Sequence, residues 1–144
     1  MQIKPRLNYI QWSQIIKNIE DLHNLSRKVK WQYFEKLVGW IFEQNDFKVK
    51  VNFVSKSPKR QYDVIAEKFG NAFLVDCKKW KGGRYKTSQL KSAVEKHIKR
   101  CCLLQTENQK IPIIVTLLDE DMTEYNSVPI IPIQKLNAFL NRNI

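Results

Sequence analysis

Asp63, Asp76 and Lys78 are the residues whose types and spacing carry chemistry in this chain. They sit in the stretch from Tyr62 to Trp80, where two apolar, β-branched and aromatic runs flank Gly70-Asn71, a dipeptide suited to the positive φ angles of a two-residue hairpin turn. If Phe69 faces Ala72 across that turn, Asp63 falls opposite Lys78 and Ile65 opposite Asp76, and all four share one face of the hairpin. Asp76 and Lys78 are then roughly 6.6 Å apart along their strand, and Asp63 is the diagonal neighbour of Asp76 at roughly 7 to 8 Å. Side chains close such a gap around one cation. Two adjacent carboxylates repel each other unless a cation lies between them, and hard oxygen ligands suit Mg²⁺ or Mn²⁺. A water on that metal is acidified and can attack a phosphodiester, while the metal neutralises charge developing on the phosphoryl oxygens. A lysine on the same face orients the water or holds the phosphate. The plainer alternative is an ordinary ion pair between Asp63 and Lys78 on an exposed sheet face, with Asp76 a bystander.

The element before the hairpin bears on that choice. From Arg27 to Asn45, Tyr33, Phe34, Leu37, Val38, Ile41 and Phe42 recur at the spacing of an amphipathic helix, and Ser26 is placed to cap its start. At 100° per residue Glu35 falls at the margin of the apolar stripe, on the boundary between core and water, whereas Glu43 points away. Gly39, one turn on from Glu35, leaves backbone uncovered, so that another chain or a nucleic acid can approach there. Read without the hairpin, Glu35 is a solvated flank residue.

Taken together, Phe34-Glu35 on the first helix, Tyr62-Asp63, and Asp76-Cys77-Lys78 resemble the PD-(D/E)xK nuclease superfamily, over roughly residues 30 to 133. Within it, the run from Val75 to Trp80 looks most like Mrr-type restriction endonucleases, and archaeal Holliday junction resolvases are similar in length and element order. The resemblance implies a restriction-endonuclease-like fold and a metal held by Asp63, Asp76 and the main-chain carbonyl of Cys77. It also implies Lys78 as the catalytic lysine and Glu35 as an auxiliary acid. The chain departs from the pattern in two places: Tyr62 stands for the nominal proline, and Asp76 for the commoner glutamate.

Composition sets the partners. The 144 residues carry a net charge of +11, and from Lys56 to Arg100 there are 13 Lys/Arg against four acids, an excess of nine. Lys56, Lys59 and Arg60 enter the Asp63 strand, while Lys79, Lys81, Arg84 and Lys86 leave Lys78. A basic rim around acidic residues fits capture of a DNA backbone, with salt-sensitive affinity. Further along, Gln89 and Lys91 begin a helix from about Ser88 to Gln105, whose buried stripe runs through Leu90, Ala93, Val94, His97, Cys101 and Leu104. Trp80 and Tyr85 are candidates for stacking on unpaired bases or for covering the sheet edge. Lys81-Gly82-Gly83-Arg84 matches no Walker or dinucleotide loop, so no nucleotide cofactor is expected. Cys77, Cys101 and Cys102 show no zinc-type spacing, and neither His23 nor His97 has a metal-spaced companion. With no apolar run of membrane-spanning length and no signal-peptide pattern, the expected location is the cytoplasm.

The remaining segments supply a scaffold. Ile111 to Leu118 reads as a strand buried on both faces and Val128 to Ile133 as another, made an edge strand or an irregular one by Pro129 and Pro132. A helix from Gln134 to about Arg142 closes the chain, and the acids Asp119, Glu120, Asp121 and Glu124 belong to a turn between strands. The expected architecture is one α/β domain: a mixed β-sheet with helices on both faces, carrying an N-terminal helical extension over residues 1–25 and a catalytic core over 26–144. Three functions compete. They are a Mg²⁺-dependent DNA endonuclease, a junction resolvase acting as a homodimer, and a nucleic-acid-binding module that keeps the fold without turnover.

Overall fold

The computed structural model describes Asp21, Asn24, residues 31–79 and residues 87–142. The expected N-terminal extension, the Ser26 cap and the loop residues Trp80, Lys81, Arg84, Tyr85 and Lys86 lie outside these, apart from the helical Asp21 and Asn24. The described elements are α1 (Trp31–Gln44), β1 (Lys48–Val54), β2 (Gln61–Lys68), β3 (Asn71–Lys78), α2 (Thr87–Leu103), β4 (Gln109–Thr116), β5 (Glu124–Tyr125), β6 (Val128–Pro132) and α3 (Ile133–Arg142). Six strands form one sheet in the order β1-β2-β3-β4-β6-β5. The first three are antiparallel neighbours, β4 runs parallel to both β3 and β6, and β5 turns back against β6. The sheet is mixed, as expected.

Two layers of helix cover it. On one face, α1 and α3 bring Phe34, Leu37, Val38, Ile41, Phe42, Leu136 and Leu140 onto Val64, Ala66, Phe73, Val75, Ile113 and Val115. Phe42, Phe47 and Phe73 fill the middle, with ring centroids 5.1 to 5.7 Å apart in tilted and edge-on contacts. On the other face α2 crosses obliquely: Leu90 and Val94 pack over Ile114 and Ile130, whereas Cys101 reaches Tyr62, Ile65 and Leu74. This helix makes the parallel crossover from β3 to β4, a connection that requires a long excursion over the sheet.

The sequence reading needs correction at five points. Strand β1 was missing from it, although Lys-Val-Lys-Val-Asn-Phe-Val alternates exposed and half-buried residues along its length. The β2–β3 turn is centred one residue earlier than expected: Lys68 pairs with Asn71, and Phe69 and Gly70 take the turn positions with φ of 52° and 79°. Extending that register places Asp63 directly opposite Asp76 rather than opposite Lys78. The pairing moves by two positions, which keeps side-chain parity along the paired part of the hairpin, but the ladder itself stops at Val64 and Val75. Gly39 is covered by its own sheet, since a Cβ there would meet Val51 Cγ2 at 3.0 Å and Val49 Cγ1 at 3.2 Å. Its smallness lets β1 approach α1. Glu35 is not at a boundary but 1% exposed. Finally, β6 is an inner strand between β4 and β5, with Pro132 level with Thr116 at the end of the ladder.

Candidate active site

The site begins where two strands part. The β2–β3 ladder ends at the Val64–Val75 pair, and beyond it the side chain of Asp63 takes the place of a neighbouring backbone acceptor, its Oδ2 receiving the Cys77 N–H at 2.8 Å. Side-chain alternation breaks at the same point: Val64 faces α1, whereas Tyr62, two residues earlier, packs with Ile65 and Leu74 on the α2 side. On the other flank, the β1–β2 ladder skips Asn52 and Asp63, and Asn52 has a φ of 56°. The acid thus stands in a gap opened on both sides.

Around that gap the expected residues converge. Asp76 lies on the next strand and pairs with Lys78 Nζ at 3.2 Å, the lysine side chain being 32% exposed and the carboxylate 7%. Asp63, Asp76 and Lys78 line one cavity of about 340 Å³ together with Gln61 and Arg100. Glu35 enters from α1, and its Oε2 is buried with no hydrogen-bond partner among the described residues. Burial pushes its carboxyl up to about 8, and the charge of Asp63 and a hydrogen bond with it act in the same direction. Asp63 itself is raised to about 6, first by burial; the Cys77 N–H pulls the other way and the charge of Asp76 adds to the rise. Glu35 and Asp63 are thus each raised by burial and by the charge of a neighbouring acid.

A hard divalent cation fits this donor set. The orphaned carboxylate oxygen of Glu35 and the carboxylates of Asp63 and Asp76 are hard oxygen donors of the kind such an ion takes. Among the described residues no three His, Cys, Asp or Glu side chains are already gathered as a ligand group. Asp63 accepts from the Cys77 N–H and Asp76 pairs with the Lys78 ammonium.

The basic residues divide by position. Lys56, Lys59 and Arg60 are exposed on the β1–β2 loop, which enters β2 two residues before Asp63. That loop is closed by Ser55, whose N–H donates to Arg60 O at 2.9 Å and whose hydroxyl donates to Pro58 O at 2.8 Å. Lys79 is half-buried beside Lys78. Gln89 lines a second cavity of about 380 Å³ with Lys78, Ser88, Ser92 and Lys96. Lys91 points elsewhere, its ammonium 5.5 Å from the centroid of the Tyr125 ring.

Three residues at the site escaped the sequence reading. Asn52 accepts from Gln61 Nε2 at 3.2 Å and its side chain also hydrogen-bonds Glu35, holding down the Glu35 carboxyl against the larger raising effects. Gln61 and Arg100 belong to the cavity wall. Asn52 gave no local signal, since it falls at an exposed position of the alternating strand in phase with Lys48 and Lys50; Arg100, 24 residues beyond Asp76, had none either.

Comparison with known proteins bears on the family and the fold. An uncharacterized protein of Archaeoglobus fulgidus is 36% identical over 116 residues, covering 78% of this chain and 90% of that protein. A crystal structure of a protein of unknown function is similar in fold, with a TM-score of 0.52 at 19% identity over 60% of this chain; the chain spans 47% of that protein's length. The Mrr-type catalytic-domain model, described as restriction endonuclease, matches residues 26–111. That span covers more than half of the sequence and takes in Glu35, Asp63, Asp76 and Lys78, so the chain belongs to the Mrr-type restriction endonuclease catalytic-domain family.

Proposed function

We propose that this protein is a Mg²⁺-dependent DNA endonuclease that hydrolyses phosphodiester bonds at the Asp63, Asp76 and Lys78 cluster. The observation that carries the reading is the buried, unpartnered Oε2 of Glu35 beside two carboxylates and a lysine that share one cavity. A structural ion pair would leave no such orphan.

Asp63, Asp76 and the Cys77 carbonyl would hold the cation, with Glu35 behind them, and Mn²⁺ would serve in its place. Bound there, the ion supplies an acidified water and neutralises charge on the phosphoryl group. The chain's own residues do the rest. Glu35, its carboxyl raised to about 8, would release its proton on holding the ion, and Asp63, raised to about 6, would be held ionised by it. Were Asp76 to hold the ion, its pairing with Lys78 would be released and the lysine would be free to face the scissile phosphate. Lys56, Lys59 and Arg60 meet the duplex backbone as point charges on a closed loop.

The test is cleavage of supercoiled plasmid, linear duplex, single strand and four-way junction, with Mg²⁺, Mn²⁺ or chelator, for wild type and Asp76→Asn. Metal-dependent cutting lost in a folded Asp76→Asn protein is expected. Equal cutting by both proteins would sink the reading. Preferred cutting of the junction would instead identify a resolvase.

A further inference from the structure

Arg100 stands in the acid-lined cavity with Gln61, Asp63, Asp76 and Lys78. It is half-buried, and among the described residues no carboxylate lies within ion-pair distance of it. Its placement is fixed from two sides. The hydroxyl of Tyr62, a fully buried residue adjacent to Asp63, donates to the Arg100 carbonyl at 2.7 Å. His97, 1% exposed, lies with Nε2 2.7 Å from the Leu74 carbonyl. A carbonyl only accepts, so that nitrogen carries the proton and Nδ1 is left as the acceptor. Arg100 Nη1 lies 3.4 Å from Nδ1 and donates to it. Burial lowers the His97 pKa and keeps the ring in this neutral form. The backbone of Arg100 is therefore tied to β2 through Tyr62 and its guanidinium to β3 through His97, the two strands that carry the aspartates.

We propose that Arg100 is a phosphate ligand of this cavity, gripping the phosphodiester at the two aspartates, with Tyr62 and His97 as positioning residues. The identity of the anion rests on the endonuclease reading. A cation kept among carboxylates but paired with none of them is suited to an anion arriving from outside. A planar guanidinium offers two parallel donors to phosphate oxygens, where Lys78 offers a point charge. The two cations then sit with the acids between phosphate and sheet. Gln61, held by Asn52, adds a neutral donor to the same wall.

The experiment compares Arg100→Gln, Arg100→Lys and wild type, with Lys135→Gln as control. Lys135 lies on α3, on the far face of the sheet, where it pairs with Asp119 at 3.1 Å. Duplex DNA binding is titrated against salt in chelator, and single-turnover cleavage is followed with Mg²⁺. For Arg100→Gln the slope of log K against log salt falls by about 0.9, the share of one phosphate contact. Its cleavage rate falls on the order of 100-fold, as for loss of one preorganised donor to a developing charge. Arg100→Lys keeps the slope and loses about tenfold in rate, because charge is retained and the two-donor fork is not. A merely structural arginine would not split the two readouts. Slope and rate in Arg100→Gln equal to those of Lys135→Gln would overturn the proposal. If wild type cuts nothing with any metal, the endonuclease reading fails, and the slope alone decides Arg100: a drop upholds the phosphate site, no drop removes it.

Discussion

The Cys77 main-chain N–H donates to Asp63 Oδ2 at 2.8 Å, so one carboxylate serves both as a candidate metal ligand and as the closing partner of the β2–β3 ladder. Strands that part would each leave backbone groups unpaired inside the protein, at a cost of about 1 to 3 kcal/mol per buried group. Asp63 fills that vacancy.

Asp63→Ala and Asp63→Asn should therefore differ in stability. Asparagine retains a carbonyl acceptor for the Cys77 N–H, whereas alanine leaves it unpaired in a residue 1% exposed. Alanine is expected to cost about 2 kcal/mol more in urea unfolding, while both variants lose metal-dependent activity. Equal stabilities would show that the contact contributes nothing.

Stability of the metal-free protein should fall as pH rises toward 8. Glu35 goes from an ordinary 4.5 to about 8 and Asp63 from 3.8 to about 6, so the folded chain keeps protons that the unfolded chain has released across that window. The state that holds more protons gains on acidification and loses as pH rises. At the acid end His97 acts in the opposite sense, because burial lowers its pKa and protonation below about 6.5 favours the unfolded chain. A thermal midpoint that is highest in weak acid is expected. Mg²⁺ should raise it more at pH 8 than at pH 5.5, since the ion competes with protons for the same oxygens. Glu35→Gln should remove much of the alkaline slope; a variant with the wild-type profile would sink this account.

Lys78 occupies Asp76 at 3.2 Å in the absence of metal. Lys78→Met should abolish cleavage yet bind Mn²⁺ as tightly as wild type or up to about fivefold more tightly, because a half-exposed pair contributes no more than about 1 kcal/mol. Calorimetric titration distinguishes this from loss of a ligand. Weaker binding would make the lysine part of the metal site.

Gly39→Ala sets two effects against each other. Alanine gains about 1 kcal/mol of helix propensity over glycine, but its Cβ would meet γ-methyls of Val51 at 3.0 Å and Val49 at 3.2 Å. β-branched side chains turn with difficulty, and overpacking costs about 1 to 3 kcal/mol. A net loss of about 1 kcal/mol is expected, relieved by Val51→Ala in a double-mutant cycle. Additive effects would mean that the strand shifts to accommodate the methyl.

What the sequence disclosed and withheld follows from the range of its signals. Alternation with period two put Asp63, Asp76 and Lys78 on one face, and the three do line one cavity, although the ladder stops short of Asp63 and alternation breaks there. The turn itself misled because Gly70-Asn71 is the usual dipeptide, whereas Phe69 adopts a positive φ that its side chain does not advertise. Glu35 looked marginal on a helical wheel, which knows nothing of the sheet edge arriving over it. Strand β1 was readable in its alternation and was passed over among its lysines. Arg100 joins the site only through the oblique path of α2, a relation that no local pattern encodes.

The hairpin tip carries a practical consequence. Phe69 is 86% exposed, and a Cβ on Gly70 would find no atom within 4 Å. Six residues of strand, roughly 20 Å, separate this corner from Asp76. A fluorophore or affinity handle placed there would report on DNA capture without entering the cleft, and lengthening both arms by one residue would leave the aspartates facing each other.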